Sequence, residues 1–492
     1  MLVLSLLAGV IIGCSDRPDQ NPALIDELRL PGDLCDFITA DFDGDSLLEV
    51  LAFGCYDRGS IPSRWGAAYF VNGGRFDTSQ VIRFDIPDNA ILFDTGDIDG
   101  DGRPEALYLA DDGLYSIKID RVGADEPRRI IQSKTIFLLP TPRFASHWDF
   151  FRELSGNDRN LVIIPSIASI GIYSIQNGVV KKSDDISYKL HAHSSSPAIA
   201  ENRISNQLGF DFDLPFFEFL DFDGDGIEDL YIIDDDAKVD IYTRSFDGGF
   251  SDEPVSSIDG KYRAGNGENN AGIKILPRDI NGDGLGDLVI SSYTGGIKDL
   301  ESKIEVYFCR SRGSHDSVAS FRHTIPNSEA MLFLTDLNHD GRMDMVIPAF
   351  RMGITALLKM LVLNRVDLGL EIFLQQPGAI FPEIPSMSTA ISTTIDLNSS
   401  QGYFGANIAS GGDFNGDRLC DFLIETGDGT IDIYYGSVGN VLESEPGWTY
   451  QLPIPSSIIA EDCDNDGISE IFAFYNNAPT ERDIIRVIHV GR

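Results

Sequence analysis

The nine residues Asp221-Phe222-Asp223-Gly224-Asp225-Gly226-Ile227-Glu228-Asp229 decide how the whole chain is read. Carboxylates stand at positions 1, 3, 5 and 9. In a tight turn the three short side chains converge, position 7 can offer its backbone carbonyl, and position 9 closes the shell. Calcium takes about six to eight oxygens in a flexible geometry, and this donor set suits it. Glycines at positions 4 and 6 allow the turn, where a Cβ would clash.

Six further stretches repeat the spacing, starting at Asp41, Asp97, Asp279, Asp336, Asp413 and Asp462. Their position 3 is Asp43, Asp99, Asn281, Asn338, Asn415 and Asp464. Position 5 is Asp45, Asp101, Asp283, Asp340, Asp417 and Asp466, and position 9 is Glu49, Glu105, Asp287, Asp344, Asp421 and Glu470. An apolar run follows each copy. Bare carboxylates this close repel one another, so a bound cation is the simpler account of seven such loops than a set of solvated acidic turns. The expectation is up to seven structural Ca2+ ions.

Successive loops start 56, 124, 58, 57, 77 and 49 residues apart. The gap of 124 is two periods, and a repeat with a damaged loop sits inside it. There Arg152-Glu153-Leu154-Ser155-Gly156-Asn157-Asp158-Arg159-Asn160 has lost the acids but still leads into Leu161-Val162-Ile163-Ile164. Eight repeats therefore carry seven loops. A fixed period of roughly this length marks solenoids or propellers. Each repeat reads as four short strands. Around the loop at 221, Phe216–Leu220 enters, 230–233 leaves, 238–243 follows a turn, and a weaker fourth strand comes after. Exit strands such as Phe422-Leu423-Ile424 are unbroken apolar runs, as expected when both faces are covered. No long amphipathic helical period stands out. The predicted fold is all-β: a single propeller of eight four-stranded blades, with seven the alternative.

Pro31, Pro87 and Pro326 each lie ten residues before a loop, and Pro142 lies ten before Arg152. Pro87 follows residues 80–86, the outer strand of the preceding blade. By the same register 24–30 is an outer strand without a blade of its own. After the last loop come 471–474 and 484–490, one strand short of a blade. Residues 24–30 are expected to supply that strand, closing the ring and removing two open edges.

The chain has 492 residues, 42% hydrophobic, with a net charge of -39. That charge makes nucleic acid and anionic membrane surfaces improbable partners. Residues 2–13 are almost wholly apolar and end at Cys14. Twelve residues are too short to span a bilayer and fit a signal-peptide core. Ile11-Ile12-Gly13-Cys14 resembles a bacterial lipobox, which implies a signal peptide over 1–13, a lipidated Cys14, a tether over 14–23 and a propeller over 24–492 on the bacterial envelope. The alternative is an ordinary signal peptide with Cys14 incidental. Export fits the metal expectation, since weak sites fill at roughly millimolar calcium. Cys35 and Cys55 flank the first loop symmetrically and would face each other across a hairpin, a possible disulfide. Cys420 and Cys463 read as small buried thiols.

Loop plus exit strand, as in Asp279-Ile-Asn-Gly-Asp-Gly-Leu-Gly-Asp287-Leu-Val-Ile, resembles the FG-GAP/VCBS repeats of integrin α-chain heads and bacterial surface proteins. The resemblance covers about 24–490 and implies a propeller with calcium on the loop between the first two strands of each blade. It carries over to positions 1, 3, 5 and 9 of the seven loops. Ser46 and Arg418 replace the position-6 glycine, which predicts strained turns there.

The leading functional expectation is a calcium-stabilised, tethered and monomeric module that binds protein or glycan. The alternative is a polysaccharide-acting enzyme of lyase type, for which His147, Arg152, His191, His193, His323 and Tyr450 are candidates. A structural subunit of an envelope assembly is the third. No nucleophile elbow, phosphate loop, zincin helix or dinucleotide fingerprint appears. Trp65 and Trp448 are either glycan-stacking residues or wedges between blades. Residues 185–214 and 366–402 are longer than a blade needs, and read as either functional loops or elongated connections between strands.

Overall fold

Successive four-stranded meanders, each running from the inside of a ring to its rim, make up the chain. The computed structural model describes residues 23–56, 63–136, 146–154, 160–176, 178–188, 191–195, 209–234, 236–260, 270–295, 299–310, 313–351, 353–394, 407–439, 441–478 and 480–491. The expected signal peptide, Cys14 and the tether as far as residue 22 lie outside these. Eight blades form an eight-bladed β-propeller. They occupy 33–86, 92–147, 151–187, 216–259, 270–326, 328–394 and 407–451, with 457–489 plus Leu24–Arg29 as the eighth. The repeat with the damaged loop does form a blade, the third, although its inner strand is only Phe151–Arg152.

Blade 4 shows why the sequence folds this way. Its strands are Phe216–Leu220, Asp229–Ile233, Lys238–Tyr242 and Ser256–Asp259. The second strand is buried along its whole length, because another blade covers each face. The outer strands alternate, as Phe76–Ile86 does in blade 1, because one side meets water. Eight apolar clusters result, each shared by two neighbouring blades. Ile280, Val289 and Ile304 of blade 5, for example, pack with Met345 and Ile347 of blade 6. The core is a ring of such seams rather than one centre.

Blade 8 closes the ring as the register predicted. Its order from inside to outside is Ser457–Glu461, Glu470–Phe474, Ile484–His489 and Leu24–Arg29. The N-terminal strand runs antiparallel to Ile484–His489, with Leu24 opposite His489 and Arg29 opposite Ile484. Leu28 is fully buried in the seam with blade 1.

An antiparallel meander sorts its connections by face. The acidic loops, between first and second strands, share one face with the links between third and outer strands. The opposite face carries the turns between second and third strands and the crossings between blades. Among the described residues the two largest additions sit on that opposite face. One is a ladder of His191–Ser195 with Gly209–Asp213, between blades 3 and 4. The other is a helix, Ile354–Leu363, between the second and third strands of blade 6, which the sequence reading did not anticipate. The stretch 366–402 proves to hold blade strands: Arg365–Phe373, a connection, and Met387–Thr394.

One local expectation needs correction, and the two tryptophans take the second of their two expected roles. Cys35 and Cys55 form no disulfide. A bulge between Leu34 and Asp36 takes Cys35 out of register, and Cys55 pairs with Asp33. Trp65 and Trp448 are 0% and 5% exposed, wedged in the seams on either side of blade 8, so neither is presented to a glycan. Cys420 and Cys463 are buried, as expected.

Candidate metal-binding loops

All seven loops share one hydrogen-bonded frame, set by the carboxylates themselves. The position-1 Asp accepts the position-6 N–H in every copy, at 2.6–2.9 Å. The position-5 Asp accepts the position-7 N–H at 2.8–3.0 Å. The position-9 acid reaches back to the position-2 N–H at 2.7–3.1 Å. Positions 4 and 6 take φ between 54° and 87° throughout. Ser46 and Arg418 adopt 69° and 70° there, the strain the sequence predicted, and His339 and Asn465 do the same at position 4 with 54° and 56°.

Position 2 is the residue the motif reading passed over. Phe42, Ile98, Phe222, Ile280, Leu337, Phe414 and Cys463 are all buried, and each plugs the seam to the following blade. The signal was present, since six of the seven are large and apolar and the seventh is a cysteine. The loops also bond to one another. The position-8 N–H of one loop donates to the position-1 or position-2 carbonyl of the loop before it: Gly286 to Asp221, Met343 to Ile280, Cys420 to Leu337, Ser469 to Asp413 and Leu48 to Cys463, at 2.7–3.4 Å. This makes a backbone belt from blade 4 round to blade 1. It breaks at loop 97–105, whose position 8 is Pro104 and has no N–H to give.

Position 9 divides the loops into two kinds. Where it is Asp, its second oxygen accepts a backbone N–H from the link between third and outer strands. The donors are Arg244, Cys309, Gln375 and Gly436, at 2.7–2.8 Å to Asp229, Asp287, Asp344 and Asp421. Where it is Glu, one methylene longer, that oxygen meets a basic side chain instead. Arg121 lies 4.0 Å from Glu49, Lys118 3.6 Å from Glu105 and His489 3.2 Å from Glu470.

Burial dominates the electrostatics of these acids. It raises Asp287 to about 7, and Asp229, Asp344 and Asp421 to about 6; the N–H bonds oppose the rise and the neighbouring loop carboxylates add to it. In loop 221–229 one oxygen each of Asp221, Asp223 and Asp225 lie within 4.8 Å of one another. Asp223 is pushed up by burial and by Asp225 and Asp221. Among the described residues no basic side chain offsets them. An all-oxygen, anionic and half-open donor set of this kind fits a hard divalent cation of the calcium type.

The candidates for catalysis scatter. Ser146–His147 adds a parallel strand to the inner strand Leu92–Gly96, on the side facing the ring axis. There His147 lies 3.1 Å from Asp149 and 3.6 Å from Asp94, and Arg152 lies 3.5 Å from Asp149. Burial alone would lower the His147 imidazolium, but bonds to Asp149 and Asp94 outweigh it and raise the group to about 10. Its two carboxylate partners favour the charged imidazolium. His323 bonds Glu371 at 2.7 Å, between blades 5 and 6, and Tyr450 stacks on Trp448. His191 and His193 lie on the ladder between blades 3 and 4. Among the described side chains His147 and Arg152 come together, through Asp149.

Residues 221–290 match the family model of the FG-GAP-like repeat. No curated protein matches the sequence. Among solved structures the chain is similar to an Agrocybe aegerita lectin that recognises non-reducing terminal N-acetylglucosamine, at 14% identity over 89% of this chain and 92% of that one, with a TM-score of 0.36. It is also similar to the Dos1 propeller, at 10% identity over 94% and 95% with a TM-score of 0.44. The V. cholerae biofilm matrix protein Bap1 matches at 10% identity over 94% and 88%, with a TM-score of 0.31. None of the three is similar enough to carry a function to this chain.

Proposed function

From the premise that this chain is an FG-GAP-type β-propeller, a fold that suggests a binding or interaction module, we propose that it is an exported, lipid-anchored module for protein or glycan whose acidic loops are held by calcium. The observation that carries this reading is the division of labour between the two faces. One face holds every acidic loop in a common frame, and the backbone belt joins all of them but loop 97–105. The other carries the ladder and the helix; exposed apolar side chains do not distinguish the faces, since Tyr56, Ile167 and Val362 stand on this one and Val122, Phe246 and Val438 on the acidic one. Cations on the first face would fix the inner hairpins, and the second face would be left to meet a partner. Export and a lipid on Cys14 would place the loops where calcium is plentiful.

Binding to the folded state alone stabilises it by about 1.4 kcal/mol per site at tenfold saturation. Several sites together then rival the net stability of a domain, roughly 5–15 kcal/mol. The experiment is thermal melting and limited proteolysis of the exported protein, before and after stripping with a strong chelator. A large fall in melting temperature, restored by calcium and not by magnesium, is expected. An unchanged curve would end the calcium reading. A protein and glycan array probed with the intact protein and with a Val362→Asp/Leu363→Asp variant then tests the face assigned to the partner.

A further inference from the structure

In two of the seven loops a basic side chain from outside the loop grips both the position-3 and the position-5 acid, whereas in loop 336–344 Arg342 pairs with Asp340 alone and in loop 462–470 His489 meets Glu470 alone. Lys118 and Arg121 sit on a turn extending the third strand of blade 2, Gly113–Ile117. The turn is rigid: the Asp125 N–H donates to the Lys118 carbonyl at 2.9 Å, and the Asp120 N–H to the Gly123 carbonyl at 3.0 Å. Lys118 Nζ reaches three of the four acids of loop 97–105, at 2.5 Å from Asp99, 2.8 Å from Asp101 and 3.6 Å from Glu105. Arg121 crosses to the loop of blade 1. Its guanidinium pairs with Asp43, with Asp45 at 2.7 Å and with Glu49 at 4.0 Å. It also donates to the Val71 carbonyl at 3.0 Å and lies 5.1 Å over the Phe70 ring, so it is anchored on three sides.

These positions are the ones a metal would need. One oxygen each of Asp41, Asp43 and Asp45, and of Asp97, Asp99 and Asp101, lie within 4.8 Å of one another as in loop 221–229, but here Arg121 and Lys118 already hold an oxygen of each position-3 and position-5 acid, so an ion would have to displace them. The buried Oε1 of Glu49, which accepts no hydrogen bond, has Arg121 as its basic neighbour. Arg121 also crosses the one seam where Pro104 interrupts the belt, so its ion pairs stand in for the missing backbone bond. An isolated surface pair contributes only about 0–1 kcal/mol, but here each base relieves the mutual repulsion of several acids at once.

We propose that Arg121 and Lys118 occupy the cation positions of loops 41–49 and 97–105, so that these two loops are closed without metal and no more than five calcium ions bind. The ion count rests on the calcium reading of the other loops; the occupancy by side chains does not.

The test compares the whole protein with a Lys118→Gln/Arg121→Gln variant, by native mass spectrometry with calcium and by melting in EDTA. Wild type should hold at most five ions and the variant two more. In EDTA the variant should melt lower by roughly 2 °C or more, and calcium should restore it. A Lys118→Arg/Arg121→Lys variant should keep the wild-type count and melting point. Seven ions on wild type, or no gain of ions by the variant despite filling of the other loops, would overturn the proposal. So would a variant as stable as wild type in EDTA. If neither protein bound calcium, the calcium reading would fail, and the EDTA melting alone would decide whether the side chains serve as built-in cations.

Discussion

Phe222 shows how a single side chain links a loop to the ring. It is 2% exposed, meets Tyr231 edge-on at 6.2 Å, and lies in the seam between blades 4 and 5. Its own N–H is held by Asp229, so the acid that closes the loop also aims the plug. Phe222→Ala should therefore destabilise by about 3–5 kcal/mol, the usual cost of emptying an aromatic site in a packed core. Phe246→Ala, at an 85% exposed position, should stay within about 0.5 kcal/mol of wild type. Chemical denaturation of the calcium-loaded protein reads both, and equal effects would show that the plug is not structural. At this scale the acids were legible because their chemistry is unusual and their spacing fixed. The plug carries no such mark, since an apolar residue between two acids is ordinary. Lys118 and Arg121 were hidden for a different reason: Arg121 grips Asp43 from 78 residues away, and only the fold brings them together.

The loop as an element makes a distinct prediction about pH. In the metal-free protein burial pushes Asp287 up to about 7, Asp229, Asp344 and Asp421 to about 6, and Glu49 to about 8 even with Arg121 4.0 Å away, all above the ordinary range of about 3.9–4.3 for an unfolded chain. Between pH 4 and 8 the folded state therefore binds more protons than the unfolded one, and stability falls as pH rises through that window. His489, raised to about 9 where bonds to Asp26 and Glu470 outweigh burial, acts in the same direction above pH 6.5. Melting in EDTA should accordingly be higher at pH 5.5 than at pH 8, and added calcium should remove or reverse the difference at pH 8 by replacing the protons. A metal-free protein more stable at pH 8 would contradict these burials. Strands were the legible elements: Phe216–Leu220 was read to the residue, and the exit strands stood out because burial on both faces demands continuous apolar runs. The helix Ile354–Leu363 escaped for the same reason. Eight of its ten residues are apolar, so it lacks the contrast that marks a helical period and resembles another buried strand.

The whole ring depends on a strand from one end of the chain finishing a blade from the other. Proline register and a missing fourth strand were enough to read this from sequence, because a propeller leaves no edge open. The seams, in contrast, pair strands from adjacent repeats and have no sequence signature of their own. Leu24 stands opposite His489, so the ends that ordinary chain order keeps apart lie where a hairpin would join them. A chain permuted to begin at Gly32, with residue 491 linked to residue 23 by a short glycine-containing turn and ending at Pro31, preserves every strand pair and every seam. It should fold, bind the same number of calcium ions and melt within a few degrees of the parent. Deleting 23–31 without relocating them should do the opposite. The deletion uncovers the edge of Ile484–His489, removes the fully buried Leu28, and leaves His489 and Arg75 without their bonds to Asp26. Self-association and a marked loss of melting temperature are the expected result, measured by light scattering and calorimetry on both chains. A permuted chain as damaged as the deletion would mean that the order of synthesis, rather than the closed ring of paired strands, holds the molecule together.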